Sequence, residues 1–528
     1  MNISFIDSVI IIIYFIAMAA IGVYFSRKNT STEEYFVGGR SFPGWIIGLG
    51  MVGTSISSVT FVAYPADSFK TSWIRFIPNL SLPLVIILAA FVFLPLFRRT
   101  KCLSAYEYLE ARFGQPVRFY AASAFVISQL VRISLILYLL SLLTQEMTGL
   151  DPILSILITG LCVSLYTVIG GIDAVLWTDV IQTIMLAGGG VICAAAVIIK
   201  IPGGLGEIFT TAWQHGKLSF SEFNHGQYSQ LPLGFSLSQK TVAMLLIFGF
   251  VNWLMEYSGN QTVVQKYFAA KNMKEAKKAL WITLGSSLPI WAFYMFVGTA
   301  LYVFFYCFPA QQANEILNGD RKAEQILPFF ILHYLPSGVI GFIIAAALAA
   351  AMSSLSGGIN SIATVSMVDI YKRYLVKRKD DKHYLYISRA IATLTSILMM
   401  LGAIVFLYSK TRTLQDTGMA IASVLSAGLV GIYMIGFFTR LCDWRPICIG
   451  ILFTIFFTFW TVLSQYGILP ERFMVKFDLY YTAIVGNCVM IITSLFFSFV
   501  FKRKTPLEPS LSIWTFSNKL SVQELVKS

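Results

Sequence analysis

Apolar residues run in blocks of about twenty along almost the whole chain, separated by short polar connections. Runs such as Leu82 to Leu94 and Ile181 to Ile199 show no two-residue alternation. A helix of about 20 residues crosses a hydrocarbon layer about 30 Å thick. Lipid offers no hydrogen bonds, so a spanning segment is a helix or part of a closed barrel. Barrel strands alternate over about ten residues, and these runs do not. The pattern therefore predicts an all-α integral membrane protein with about 13 transmembrane helices. Their approximate ranges are 5–25, 44–68, 77–97, 118–146, 152–169, 174–199, 241–265, 279–308, 329–369, 384–408, 414–438, 446–466 and 480–501. The ninth is long enough to hold a bent or re-entrant portion. One transmembrane domain is expected over 1–505, with 506–528 as a short cytoplasmic tail.

Two spans are interrupted by polar and small residues. The second holds Gly48, Gly50 and Gly53, then Thr54-Ser55-Ile56-Ser57-Ser58-Val59-Thr60. The seventh holds Gly249, Asn252, Glu256, Ser258, Gly259, Asn260 and Gln261. A broken helix that recurs five spans later points to inverted repeats around a substrate site at the membrane midplane. The matching core repeats are about 44–199 and 241–438. Small residues alone also serve close helix packing. The dense hydroxyl run, in a chain with an intramembrane Arg, favours a site.

Composition agrees with the membrane assignment. The 528 residues are 57% hydrophobic and only 12% charged, against about 25% charged in soluble domains. The net charge of +13 reads as cytoplasmic loops collecting Lys and Arg rather than as a nucleic-acid surface. With the N-terminus outside, 27 of the 39 Lys and Arg fall on the cytoplasmic side, 11 outside and one within a span. The inner clusters include Arg98-Arg99-Thr100-Lys101, Lys271 to Lys278, Tyr371 to Lys382 and Phe501 to Lys504. Ala17-Met18-Ala19 has cleavage-like spacing, but Arg27 and Lys28 follow the first run and no base precedes it, the reverse of a signal peptide. Seven cysteines without a CxxC pair and four scattered histidines predict neither a disulfide framework nor a metal cluster. Gly203 to Gly206 lacks the Lys of a phosphate loop. No nucleophile–base pattern is present, so an enzyme is not expected. A membrane-embedded enzyme would need paired acids or His at the membrane face.

Three groups carry candidate chemistry. Arg132 lies about half-way along the fourth span, with no Asp or Glu within a helical turn. An Arg near the bilayer centre costs at least about 2.5 kcal/mol, so it usually serves a function. A substrate carboxylate would supply the missing anion, held by two parallel hydrogen bonds. The alternative is a structural pairing with an acid on another helix. Ser353, Ser354 and Ser356 crowd one turn of the ninth span as oxygen ligands for sodium, or as packing hydroxyls. Asp179 is placed to join a cation site or to pair at the interface. Asp67 and Lys70 read as interfacial.

The chain also resembles the sodium/solute symporter family over nearly all of residues 1–500. The resemblance rests on Glu33-Glu34-Tyr35-Phe36-Val37-Gly38-Gly39-Arg40, Ala105 to Phe113, Trp177-Thr178-Asp179 with Gln182, Asn260-Gln261 with Gln265, and Ser353-Ser354-Leu355 with Asn360-Ser361. Within it, Ser55 to Thr60, Ala63 to Asp67 and Arg132 look most like the bacterial sialic acid symporters.

The resemblance implies a leucine-transporter type of inverted repeat, five plus five helices, and sodium-coupled import by alternating access. Its substrate would be a small carboxylated solute, sialic acid first, with another sugar or organic acid as the alternative. It implies substrate contacts from Ser55, Ser57, Thr60 and Arg132. It implies a main sodium site from Gly53, Ile56 and Ala350 through carbonyls and from Ser353 and Ser354 through hydroxyls. A second sodium site would use Asp179, Ser353 and Ser356, with Gly357 where the group carries another Ser. Arg75 and Asn79 fall at pocket positions, with different residue types. One or two sodium ions are expected, two rather than one, and no organic cofactor. The partners are an anionic solute, sodium and lipid, with no nucleic acid and no obligatory protein. The location is a bacterial inner membrane, multi-pass, N-terminus outside and C-terminus cytoplasmic.

Overall fold

The computed structural model describes residues 3–27, 29–56, 58–99, 102–224, 227–236, 239–408, 427–465, 467–477, 481–501 and 511–515. Among these, nine helices are long and apolar enough to cross a membrane, and two further helix pairs pass the same test together although bent. The membrane helices and one connecting helix are α1 (Phe5–Ser26), α2 (Gly44–Ser55), α3 (Ser58–Lys70), α4 (Trp73–Arg98), α5 (Ala105–Phe113, a connector), α6 (Gln115–Thr148), α7 (Pro152–Lys200), α8 (Val242–Ser258) and α9 (Gln261–Ala269). They continue with α10 (Met273–Cys307), α11 (Val339–Leu375), α12 (Asp381–Tyr408), α13 (Leu429–Phe438), α14 (Trp444–Gln465) and α15 (Tyr481–Val500). The expected eleventh span, 414–438, is described only from residue 427, and the tail 506–528 only at 511–515.

The bent pairs are α2 with α3, at 54°, and α8 with α9, at 48°. They fall where the polar interruptions predicted them. α2 stops because Ile56 is extended (φ −103°, ψ 99°), which leaves carbonyls of the last turn without helical donors. α8 stops at Gly259, and Asn260 restarts the chain as an N-cap, its side chain accepting from Thr262 N at 2.9 Å.

α7 has 49 residues. Straight, it would span about 75 Å, more than twice a hydrocarbon core. It turns at Gly171, whose φ of 56° and ψ of −152° suit glycine almost alone. A Cβ there would also sit 2.7 Å from the carbonyl oxygen of Tyr35. The two arms match the expected spans 152–169 and 174–199.

α11 forms the spine. Almost every residue from Gly341 to Val365 is buried, and it packs against α1, α2, α3, α6, α7, α9 and α12. Its start is tied to α1 by Asp7, which accepts from Gly338 N and Gly341 N, both at 2.7 Å. Its far end is tied by Asp369, which receives Arg118 at 2.7 Å. Glu110 on α5 receives Arg118 at 2.6 Å and Arg373 at 2.5 Å.

The connection 202–240 departs from an all-α chain. It forms a short helix, Gly204–Gln214, and a hairpin, β1 (Ser221–Asn224) with antiparallel β2 (Gln227–Gln230). Within it Lys217 is buried, donating to the carbonyls of Phe69 (2.6 Å) and Thr71 (3.1 Å), with its ammonium 4.0 Å from the Tyr302 ring centre. Burial pushes its pKa down to about 7.

Two outcomes follow. Gly171→Ala lowers the melting temperature of the purified protein, the strain costing on the order of 1–3 kcal/mol, whereas Gly188→Ala, in ordinary contact with Phe342, leaves it nearly unchanged. Unfolded, Lys217 keeps its proton up to about pH 10.4; folded, it loses it above about 7. Its contribution to stability therefore rises between those values, because the unfolded state then binds more protons. Melting curves from pH 7 to 10 rise less steeply in Lys217→Met.

Candidate functional site

Several of the residues expected to bind ligands lie near the end of α2. The end of α2 lies directly against α11: a Cβ on Gly53 would be 3.0 Å from Ser353 Oγ and 2.6 Å from Thr183 Oγ1. Ile56, Ala350, Ser353, Ser354 and Ser356 are all buried. Among the described residues, Ser354 Oγ is buried without a hydrogen-bond partner, as is Ser55 Oγ. Unpaired buried hydroxyls cost about 1–3 kcal/mol unless something binds them. Together with the unwound carbonyls after Gly53, these oxygens make a hard donor set that suits a sodium ion arriving as cargo. Ser356 instead donates to Ser353 O at 3.0 Å.

A second cluster lies beside the first. Every residue of α9 is buried, so its polar side chains must all be answered from neighbouring helices. Gln261 accepts from Ala105 N at 2.8 Å and donates to Leu103 O at 2.9 Å. Gln265 donates to Phe36 O and Thr364 Oγ1 at 2.7 and 2.9 Å. Lys266 directs its ammonium to Asp179 Oδ2 (2.8 Å), Gly50 O (2.7 Å) and Thr54 Oγ1 (2.5 Å). The other carboxylate oxygen of Asp179 accepts from Ser353 Oγ at 2.6 Å. Lys266 and Asp179 are 1% and 0% exposed. Asp179, expected as a ligand of a second sodium, is thus ion-paired with Lys266.

Arg132 lies near an acid on another helix. Its side chain is 44% exposed, and Glu256 Oε2 lies 3.9 Å away on α8. Glu256 also accepts from Asn260 Nδ2 at 2.8 Å. At 3.9 Å the pair has no bidentate geometry, and the fork of the guanidinium keeps donors for another anion. Arg132 is also not the sole basic residue deep in the bundle, since Lys266 lies deeper.

A cavity of about 740 Å³ opens between the middle of α3 and the C-terminal end of α6, lined by Val62, Ala63, Leu139, Leu143, Glu146 and Gln325 among others. Leu139 and Glu146 are two and four turns above Arg132 on the same face of α6. Thr60 lies one turn below Ala63 on α3 and is buried. Ser57 lies outside the described residues. Asn79 donates to Tyr64 Oη at 2.7 Å, and Arg75 pairs with Asp67 at the C-terminal end of α3. Both positions thus serve the wall of α3.

Sequence reasoning missed Lys266 and the partner role of Glu256. It also missed Gln129, buried against Gly358. Asn360 was quoted only as a family mark, yet both its side-chain polar atoms are buried without partners.

Comparison with known proteins defines the class. The model of the sodium:solute symporter family matches residues 35–444. The chain belongs to that family, and it is a multi-pass membrane transporter rather than an enzyme. It is 30% identical to the sodium/sialic acid symporter SiaT of Proteus mirabilis over 93% of this chain and 94% of that one. It is 28% identical to the sodium/sialic acid symporter NanT of Aliivibrio fischeri over 93% and 92%. Its fold superposes with a TM-score of 0.84 and 30% identity on the substrate-bound outward-open state of a Na+-coupled sialic acid symporter that revealed a novel Na+ site, covering 96% and 99% of the two chains.

The two ion pairs should behave differently. Asp179→Ala strands a buried ammonium and costs about 3–5 kcal/mol. Glu256→Gln removes a long, half-exposed pair worth about 0–1 kcal/mol. Chemical-denaturant or thermal unfolding in one detergent reads both.

Proposed function

We propose that this transporter imports a small carboxylated solute, sialic acid in the first instance, with sodium moving inward by alternating access. The observation that carries this reading is the meeting of Gly53 with Ser353 at the break after α2, beside the unpartnered hydroxyls of Ser354 and Ser55. There the main sodium would be held by the carbonyls of Gly53, Ile56 and Ala350 and the hydroxyls of Ser353 and Ser354. Arg132 would take the carboxylate, and Ser55, Ser57 and Thr60 would take hydroxyl or amide groups on the rest of the molecule. Glu256 would trim the attraction of Arg132 for anions in the empty pocket. A planar carboxylate offers the guanidinium two charge-assisted bonds, which the 3.9 Å contact with Glu256 does not.

Thirteen spans arranged as five plus five helices with flanking helices fit the bent pairs and the turn at Gly171. The charge distribution supports an N-terminus outside and a cytoplasmic C-terminus, and the bacterial relatives support a bacterial inner membrane.

Uptake of N-acetylneuraminate into proteoliposomes should need an inward sodium gradient and ignore a proton gradient. Its carboxyl-reduced analogue should not compete, and Arg132→Lys should lose most transport, because an ammonium keeps the charge and loses the fork. Ser354→Ala should raise the sodium concentration for half-maximal uptake several-fold. Normal uptake by a folded Arg132→Ala, or in sodium-free buffer, would contradict the assignment.

A further inference from the structure

α10 is longer than the membrane it crosses. Its 35 residues would span about 52 Å if straight, against a hydrocarbon core about 30 Å thick. Part of it must stand in the headgroup layer, and the lysines put that overhang at its start. Lys274, Lys277 and Lys278 lie in its first two turns, with Lys271 just before them. Trp281 follows one turn on and is 44% exposed, as an indole at a membrane interface is.

A cavity of about 770 Å³ opens against this start, lined by Met273, Lys274, Lys277, Lys278, Trp281 and Ile282. The Met, Trp and Ile side chains and the lysine stems make its walls apolar. Lys277 Nζ lies 4.6 Å from the ring centre of Phe91 on α4, itself exposed. Among the described residues, none of the four lysines has a carboxylate within 4.0 Å. Glu275, the acid on the same turns, is engaged by α2, where it accepts from Gly44 N at 2.5 Å. Helix stability does not explain the lysines either, since the dipole opposes cations at a helix start. One turn beyond Trp281 on the same face, no atom lies within 4 Å of where a Cβ on Gly285 would stand. The cavity therefore leads on to open space along α10, toward the hydrocarbon layer.

The two ends of this groove ask for different things. The lysines need an anion, and the space along Trp281 and Gly285 needs an apolar chain. A free phosphate answers only the first, and a zwitterionic lipid answers the first poorly. We propose that the start of α10 is a binding site for an anionic phospholipid, its phosphate among Lys274, Lys277 and Lys278 and one acyl chain along Trp281 and Gly285. Basic pockets between membrane helices on the cytoplasmic side recognise such headgroups. The bound lipid lies beside the contact that fixes the first turn of α2 to α10, and it relieves the repulsion among the lysines there. The assignment does not depend on which solute is carried.

The test places a quencher in the acyl chain. Purified transporter in mixed micelles is titrated with brominated phosphatidylglycerol or brominated phosphatidylcholine, and the signal of Trp281 is the difference between wild type and Trp281→Phe. Half-quenching is expected at a several-fold lower fraction of phosphatidylglycerol than of phosphatidylcholine. The triple variant Lys274→Gln, Lys277→Gln, Lys278→Gln loses this preference. Neutralising a different basic cluster, Lys377, Lys379 and Lys382, to Gln keeps it. Gly285→Leu, which fills the groove and leaves the lysines, weakens quenching by phosphatidylglycerol several-fold and decides the matter should the triple variant fail to fold. Equal quenching by the two lipids in wild type overturns the proposal. So does a preference that survives in the folded triple variant, one that the second cluster abolishes equally, or quenching indifferent to Gly285→Leu. If millimolar inorganic phosphate removes the preference where chloride of equal ionic strength does not, the site takes a soluble anion and the lipid assignment falls.

Discussion

A charge buried in a helical bundle must be met by an opposite charge and by hydrogen bonds, because the interior repays desolvation in no other way. In this transporter that requirement is met where Lys266 meets Asp179. The pair links α9 to α7, and its hydrogen bonds to Gly50 and Thr54 bring in α2 while Ser353 brings in α11. α9 is a nine-residue half-helix, too short to cross a membrane by itself. What fixes it is polar: Gln261 on the segment before α5, Gln265 on α11 and the chain near Phe36, and Lys266 on Asp179. The broken helices thus keep their position at the centre of the bundle because specific donors and acceptors hold them.

That arrangement separates oxygens that are spoken for from those that are not. Around Lys266 every donor is used. Nearby, Ser55 at the end of α2 and Ser354 on α11 keep buried hydroxyls with no partner among the described residues. A region with satisfied polar groups is rigid, and one with unsatisfied groups gains most from a ligand. Sodium binding at the break would therefore draw α2 onto α11 against a frame that is already set. Were one sodium to accompany a monoanion, no net charge would move. The membrane potential, worth about 2.3 kcal/mol per charge at 100 mV, would then contribute nothing. Each tenfold sodium gradient supplies about 1.4 kcal/mol, which sustains about a tenfold accumulation.

Much of this was legible in the sequence, for physical reasons. The membrane class follows from run length, and both bends fall at the polar interruptions, since hydroxyl and amide groups within a span need backbone or ligand partners. The adjacency of Gly53 and Ser353 was reached only through resemblance. Lys266 escaped because it sits at the cytoplasmic margin of an apolar run, where basic residues are ordinary, and only the bend of α9 carries it inward. The environment of Arg132 escaped for the opposite reason: depth along one helix says nothing about the acid that another helix presents, and Glu256 is remote in sequence. The hairpin between α7 and α8 lies in polar sequence whose strands are four residues each, too short for a two-residue period to show.

The most direct measurement is an experimental structure of the full chain in sodium and N-acetylneuraminate, at a resolution that separates an ion from an ammonium. The expected result is one cation beside Gly53, Ile56, Ala350, Ser353 and Ser354, the carboxylate on Arg132, and continuous density from Lys266 to Asp179. No cation beside those five residues in saturating sodium, or a solute carboxylate held away from Arg132, would contradict the account.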